Sequence, residues 1–240
     1  LCANLVAVKI VHEIMRIPGA VIFDMDGVLI DSEPIHREIE KKLFDELGVI
    51  VPEEVHLSYM GASGEFMYSD LKSRFELPEL VGELMEKDDR FRCDYFKHLE
   101  GIQLNDGVLP LLEEIKSAGL KLAVATSSSP EMVSILLNRC EISSFFDAIV
   151  TTIEAGASKP SPDVYLLAAQ KIGIAPASCI VFEDSPNGIS AAKSAGMFCI
   201  AIQPDCAFDL SKADGLIKTF SGFILDQLLE MFNSKHVTEE

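Results

Sequence analysis

A chain of 240 residues with 48% hydrophobic side chains holds enough apolar material for one full core and a smaller second one, as a soluble globular protein does. Its 38 acidic against 20 basic residues give a formal net charge of -18, which argues against nucleic acid or an anionic membrane as a partner. Six cysteines, Cys2, Cys93, Cys140, Cys179, Cys199 and Cys206, show no CxxC spacing and no neighbouring histidine cluster, so reduced thiols and a cytoplasmic location are expected. The first stretch, LCANLVAVKIVHEIMRIPG, is apolar but broken by Lys9, His12, Glu13 and Arg16. It is too short and too interrupted to span a membrane, and it has neither a basic leader nor a small-residue cleavage site.

Ala20 to Phe23 reads as a short buried strand that delivers Asp24 and Asp26 at its end, with Gly27 following. Residues two apart on a strand share a face, so the two carboxylates converge on one small volume. Like charges that close need a metal ion, a proton or a basic side chain beside them. Asp31 or Ser32 can cap a helix that opens with Pro34, carries Ile35, Ile39, Leu43, Phe44 and Leu47 on one face, and stops at Gly48. Helices are expected over Glu53 to Met60, Gly64 to Phe75 and Pro78 to Leu99, with no strand between Ser32 and Gly101.

From Gly107 the pattern alternates. Helices over Gly107 to Ala118, Pro130 to Cys140, Pro162 to Ile172 and Gly188 to Ala195 are interleaved with strands over Leu120 to Thr126, Ala148 to Thr152, Cys179 to Phe182 and Phe198 to Ile202. A short strand near Leu216 and a helix from Ile224 to Phe232 close the chain before a polar tail. Alternation of this kind predicts an α/β fold, a Rossmann-like parallel sheet with helices on both faces. Ligands of such sheets bind beyond the carboxyl ends of the strands.

Three further groups fall at those ends. ATSSSPEM, Ala125 to Met132, offers the hydroxyls of Thr126 and Ser128 and the amides at a helix start, either as a phosphate cradle or as an ordinary N-cap cluster. GASKPSPDVY places Lys159 in a loop before a helix, where a lone lysine is usually solvated. CIVFEDSPNG carries Glu183 and Asp184 at the end of an apolar strand, either as oxygen ligands for magnesium or as an acidic turn.

Taken together, DMDGVLIDSEP, ATSSSPEM, SKPSPDVY and CIVFEDSPNGISAAKSAGM resemble, in order, the four motifs of the haloacid dehalogenase superfamily. The likeness is to its β-phosphoglucomutase-like and sugar-phosphate phosphatase branch. It implies a core of residues 1–30 and 101–240 with an inserted helical cap over 31–100, and Met15 as a natural start. It also implies an aspartyl-phosphate mechanism. Asp24 attacks phosphorus with magnesium held by Asp24, the backbone carbonyl of Asp26, and Glu183 or Asp184. Asp26 acts as acid and then base, while Thr126, Ser127, Ser128 and Lys159 hold the phosphoryl group.

The branch's mutases hold a second phosphate with a basic cap residue and align the sugar with a histidine, to which His36 corresponds. Gly61, Ala62, Ser63 and Gly64 stand where a mutase is expected to offer arginine; Arg74, Arg90 and Arg92 are the available substitutes. The expected enzyme is a monomeric, magnesium-dependent phosphatase of a small phosphorylated metabolite. A phosphomutase and a non-catalytic binding protein on the same fold are the alternatives.

Overall fold

A computed structural model of the chain describes residues 17–59, 64–202 and 209–234. Six strands, β1 (Ala20–Phe23), β2 (Lys121–Thr126), β3 (Ala148–Thr151), β4 (Cys179–Glu183), β5 (Phe198–Ile202) and β6 (Gly215–Ile217), form one sheet in the order β3-β2-β1-β4-β5-β6. Every pairing is parallel, with Phe23 opposite Val124 on one side and Phe182 on the other. β1 is therefore central, and its AVIF sequence is buried throughout because helices cover both faces.

The period of two sorts the side chains. Val21 and Phe23 join Leu122, Val124, Ile180 and Phe182 in one apolar cluster, while Ala20 and Ile22 join Ala123, Ala125 and Val181 in the other. Between β1 and β2 lie α1 (Glu33–Glu46), α2 (Glu53–Ser58), α3 (Gly64–Phe75) and α4 (Val81–His98). The remaining helices are α5 (Val108–Ser117), α6 (Pro130–Arg139), the short α7 (Thr152–Ala155), α8 (Asp163–Ile172), α9 (Pro186–Ser194) and α10 (Leu225–Ser234). Residues of α5, α6 and α10 fill the first cluster and those of α8 and α9 the second.

Helices α1 to α4 build a third apolar cluster of their own, with Leu43, Phe44, Tyr68, Leu71 and Leu84 at its centre. Ile39 of α1 and Cys93 and Phe96 of α4 instead join the first cluster, and two further features tie these helices to the sheet. An antiparallel bridge joins Ile30 to Leu104 where the chain leaves and re-enters. Arg139 at the end of α6 donates to the carbonyls of Phe96, Lys97 and Leu99, which the C-terminus of α4 leaves without helical partners.

Most element bounds match the expected ones to within three residues, and the departures have local causes. α4 starts at Val81 rather than Pro78, because Leu80 is extended and its N–H donates 2.7 Å to the Glu83 carboxylate. α9 starts at Pro186 rather than Gly188, because Ser185 caps it by accepting from the Gly188 amide at 3.0 Å. α7 and the two 3-10 turns, Ser143–Phe145 and Pro176–Ser178, are too short to carry a hydrophobic period.

Cys93, Cys140, Cys179 and Cys199 are free thiols. No helix of the described residues is long and apolar enough to cross a membrane. Cys2, Met15, Cys206, the stretch 60–63 and the polar tail beyond Ser234 lie outside the described residues.

Candidate active site

The carboxyl end of β1 meets those of β2 and β4, and three charged side chains converge there. The Lys159 ammonium lies 2.7 Å from Asp24 Oδ1 and 2.6 Å from Glu183 Oε1, and also donates to the Ala125 carbonyl at 3.2 Å. It is only 7% exposed, and it sits 5.0 Å from the centre of the Tyr165 ring. Its pKa is raised: burial alone would lower it, and the charges of Asp24 and Glu183 outweigh burial.

Glu183 is fully buried and fully engaged. Oε1 accepts from Lys159 and from the Tyr165 hydroxyl at 2.8 Å; Oε2 accepts from the amides of Asp184 and Ser185 and from Ser185 Oγ, each at 3.0 Å. Burial pushes its carboxyl up, but Lys159 and these donors keep it below the ordinary range. Gly188 leaves the room for it, since a Cβ there would fall 1.6 Å from Glu183 Oε1.

The neighbouring acids behave in the opposite way. Burial raises Asp24 to about 7 against the pull of Lys159, with Glu183 and Asp26 adding to the rise. Asp184 is raised well above its usual value by burial and by the charges of Glu183 and Asp24. One lysine does not neutralise three carboxylates. Asp24, Glu183 and Asp184 each offer an oxygen within 4.8 Å of the others. A hard divalent cation among them would supply the missing charge, and an all-oxygen donor set suits magnesium.

Gly27 shapes this cluster. Its φ is +75°, and a Cβ there would lie 2.0 Å from Asp184 Oδ2. Gly27→Ala is therefore expected to destabilise the protein by about 1–3 kcal/mol and to weaken divalent-cation binding. Thermal melts with and without magnesium check both.

Asp26 has a separate set of partners. Its Oδ1 accepts from Ser32 Oγ at 2.8 Å and lies 3.1 Å from His36 Nε2, while Oδ2 accepts from Ser128 Oγ at 2.6 Å. Burial would raise this carboxyl; the hydrogen bonds of His36, Ser128 and Ser32 hold it well below the carboxylate range. Ser32 stands at the N-cap position of α1, but its side chain caps nothing, because its hydroxyl is committed to Asp26. The loop carrying the two acids is braced from the return chain: Asn105 donates 2.9 Å to the Gly27 carbonyl and 2.8 Å to that of Val28.

At the end of β2, Thr126 is buried and its Oγ1 accepts from the Ser128 amide at 3.1 Å, which leaves its own proton to donate. Ser127 is exposed beside it. The cap of α6 is Ser129, accepting from Met132 N at 3.3 Å, so capping does not occupy the hydroxyls of Thr126 or Ser128.

The residues singled out in the sequence thus gather in one place, with His36 joined through Asp26. Sequence reasoning missed Tyr165, Ser185, Ser32 and Asn105. Tyr165 stood inside the quoted SKPSPDVY string, and its aromatic ring beside a lysine motif was the one available signal.

The family model for haloacid dehalogenase-like hydrolases matches residues 21–202. The chain belongs to this family. Among its relatives, the phosphorylated carbohydrates phosphatase of Thermotoga maritima is 34% identical over 178 residues, covering 74% of this chain and 82% of that one. The β-phosphoglucomutase of Bacillus subtilis is 29% identical over 231 residues, covering 92% of this chain and 98% of that one. The crystal structure of CbbY from Rhodobacter sphaeroides in complex with phosphate superimposes with a TM-score of 0.78 at 29% identity, covering 88% of this chain and 99% of that chain. The six-stranded parallel sheet is accordingly a haloacid dehalogenase-like core.

Proposed function

We propose that this hydrolase is a magnesium-dependent phosphatase of a small phosphomonoester, a sugar or polyol phosphate, working in the cytoplasm through a phosphorylated Asp24. The observation that carries the reading is the Asp24 carboxyl held by Lys159 at the tip of β1, against Asp184 and Glu183. Asp24, the Asp26 carbonyl and Asp184 would hold the magnesium ion, which supplies charge neutralisation to the phosphoryl oxygens. Glu183, with both oxygens engaged, anchors Lys159 rather than reaching outward.

With Oδ1 fixed by Lys159, Asp24 presents Oδ2 to phosphorus. The P–O bond to the leaving alkoxide breaks as the Asp24–phosphorus bond forms. Once it carries a proton, Asp26 gives it to the alkoxide, then takes one from the water that cleaves the aspartyl phosphate. Thr126 Oγ1, the Ser127 amide and Lys159 stabilise the equatorial oxygens. Ser128 has one hydroxyl proton, and a phosphoryl group that accepts it releases Asp26 Oδ2. Of the described residues, 31–59 and 64–100 form a cap over this site and 17–30, 101–202 and 209–234 the core, a division supported by the apolar cluster that α1 to α4 build among themselves.

The name of the Thermotoga relative, a phosphatase of phosphorylated carbohydrates, supports the substrate class. The β-phosphoglucomutase relative favours a mutase as the second reading. A mutase must hold a second phosphate, and of the three substitutes only Arg92 is closely held by its neighbours. Arg74 pairs with Asp70, Arg90 Nε donates to the Glu86 carbonyl at 3.2 Å, and Arg92 is buried among partners. The test is phosphate release from a panel of sugar, polyol and nucleotide monophosphates, with β-glucose 1-phosphate followed for both free phosphate and glucose 6-phosphate. Phosphate release abolished by EDTA is the expected result. Glucose 6-phosphate with little free phosphate makes the enzyme a mutase, and turnover of neither kind sinks both readings.

A further inference from the structure

Beyond β1 the chain that carries the two aspartates folds into one tight turn. The Met25 carbonyl accepts from the amides of Leu29 and Ile30 at 2.9 and 3.1 Å, and the Gly27 amide donates 2.9 Å to the Ile30 carbonyl. Val28, Leu29 and Ile30 are wholly buried in it. A turn this short leaves its later carbonyls outside its own hydrogen bonds, and buried carbonyls need donors.

Asn105 meets three of them in succession. Its side-chain nitrogen divides two protons between the Gly27 carbonyl at 2.9 Å and that of Val28 at 2.8 Å, and its main-chain amide donates 2.9 Å to Leu29. Because both side-chain partners are carbonyls, the nitrogen end of the amide must face them. Asn105 is itself fixed. Leu104 before it bridges to Ile30, and its own carbonyl accepts at 3.1 Å from the amide of Val108, the first residue of α5.

The far end of this strut is the acidic cluster. Gly27 packs directly on Asp184, since a Cβ at Gly27 would lie 2.0 Å from Asp184 Oδ2. The Asp26 carbonyl belongs to the peptide on the other side of the same glycine, so rotation of Gly27 moves that oxygen and the surface that seats Asp184 together.

We propose that Asn105 is a positioning residue for the hydrolytic site: its side-chain amide locks the turn after β1, and the locked Gly27 sets the Asp26 carbonyl and the Asp184 carboxylate at the spacing a divalent cation needs. This rests on the reading of the cluster as the magnesium site. The geometry explains the residue type. Leucine has the volume of asparagine without its donors, and aspartate has the shape but only acceptors when ionised. Asn105 touches neither cation nor phosphate, and it acts through Gly27.

The test is calorimetric titration of the substrate-free protein with magnesium, at a temperature where circular dichroism shows every variant folded. Asn105→Leu is expected to weaken magnesium binding about tenfold to a hundredfold. Asn105→Ser keeps one donor and is expected to fall between; it carries the same comparison if the leucine variant does not fold. The control is Arg139→Met, which removes the donors to the Phe96, Lys97 and Leu99 carbonyls at the start of the same return chain. It is expected to lower the melting temperature and to leave magnesium affinity unchanged.

Magnesium affinity equal to wild type in the folded Asn105 variants overturns the proposal. So does an equal loss in Arg139→Met, because general loosening of the return chain would then account for the effect. The two levels separate in the wild type: if it takes up no magnesium, the reading of the cluster fails and the proposal with it. If wild type and Asn105→Leu bind magnesium alike, the proposal fails alone.

Discussion

Asp24→Asn is expected to lower phosphate release at least about a thousandfold and to leave the fold intact. Asn keeps an oxygen at Oδ1 to accept from Lys159, so the contact at 2.7 Å survives. What it lacks is the anionic oxygen that attacks phosphorus. The fold should tolerate the change because Asp24 is a burden to the folded state: burial and the neighbouring acids raise it to about 7 in the absence of a cation. A neutral side chain of the same shape removes that repulsion, so the melting temperature without magnesium should hold or rise. Magnesium should stabilise the variant less than it stabilises the wild type, since one of its ligands is weakened. Circular dichroism melts with and without magnesium, beside steady-state phosphate release, measure all three quantities.

Lys159→Met is expected to damage both activity and stability. The ammonium is shared by Asp24 and Glu183, two of the three acids of the cluster, and is shielded from water. Removing one partner of a buried pair costs about 3–5 kcal/mol, because the remaining charges stay buried and unpaired. The loss should show as a lower melting temperature that magnesium partly restores. Combining it with Asp24→Asn provides the internal check. If the instability comes from uncompensated carboxylate charge, the double variant should be more stable than Lys159→Met alone, a non-additivity expected of residues in direct contact. Equal stability of the two would assign the loss to packing against Tyr165 instead.

The core of the fold was legible because buried parallel strands are continuous apolar runs separated by turn residues, as in AVIF, KLAVAT and FCIAI. Strand ends then placed Asp24, Thr126 and Glu183 on one rim without any knowledge of contacts. The partner choices within the rim were not legible. Glu183 and Asp184 are adjacent and chemically alike, and they diverge because Tyr165 and Lys159 from another part of the chain engage Glu183, with Ser185 closing its other oxygen. Arg92 reads in the sequence as a substitute second-phosphate ligand. It is instead buried, because Asp88 one turn away and Glu40 on α1 compensate it, and only the packing of α1 on α4 brings Glu40 and His36 within reach. Serine hydroxyls were the least predictable: Ser32, Ser128 and Ser129 all precede or open helices, yet only Ser129 caps one.

The central claim is that phosphorus is transferred to Asp24. It is tested most directly by mixing the enzyme and magnesium with a phosphomonoester substrate carrying labelled phosphorus, quenching in acid within one turnover, and mapping the label on the protein. The account predicts label on Asp24, released by hydroxylamine as an acyl phosphate is, and absent from Asp24→Asn. Label on any other residue, or product formed in that turnover with no label on the protein, would contradict it.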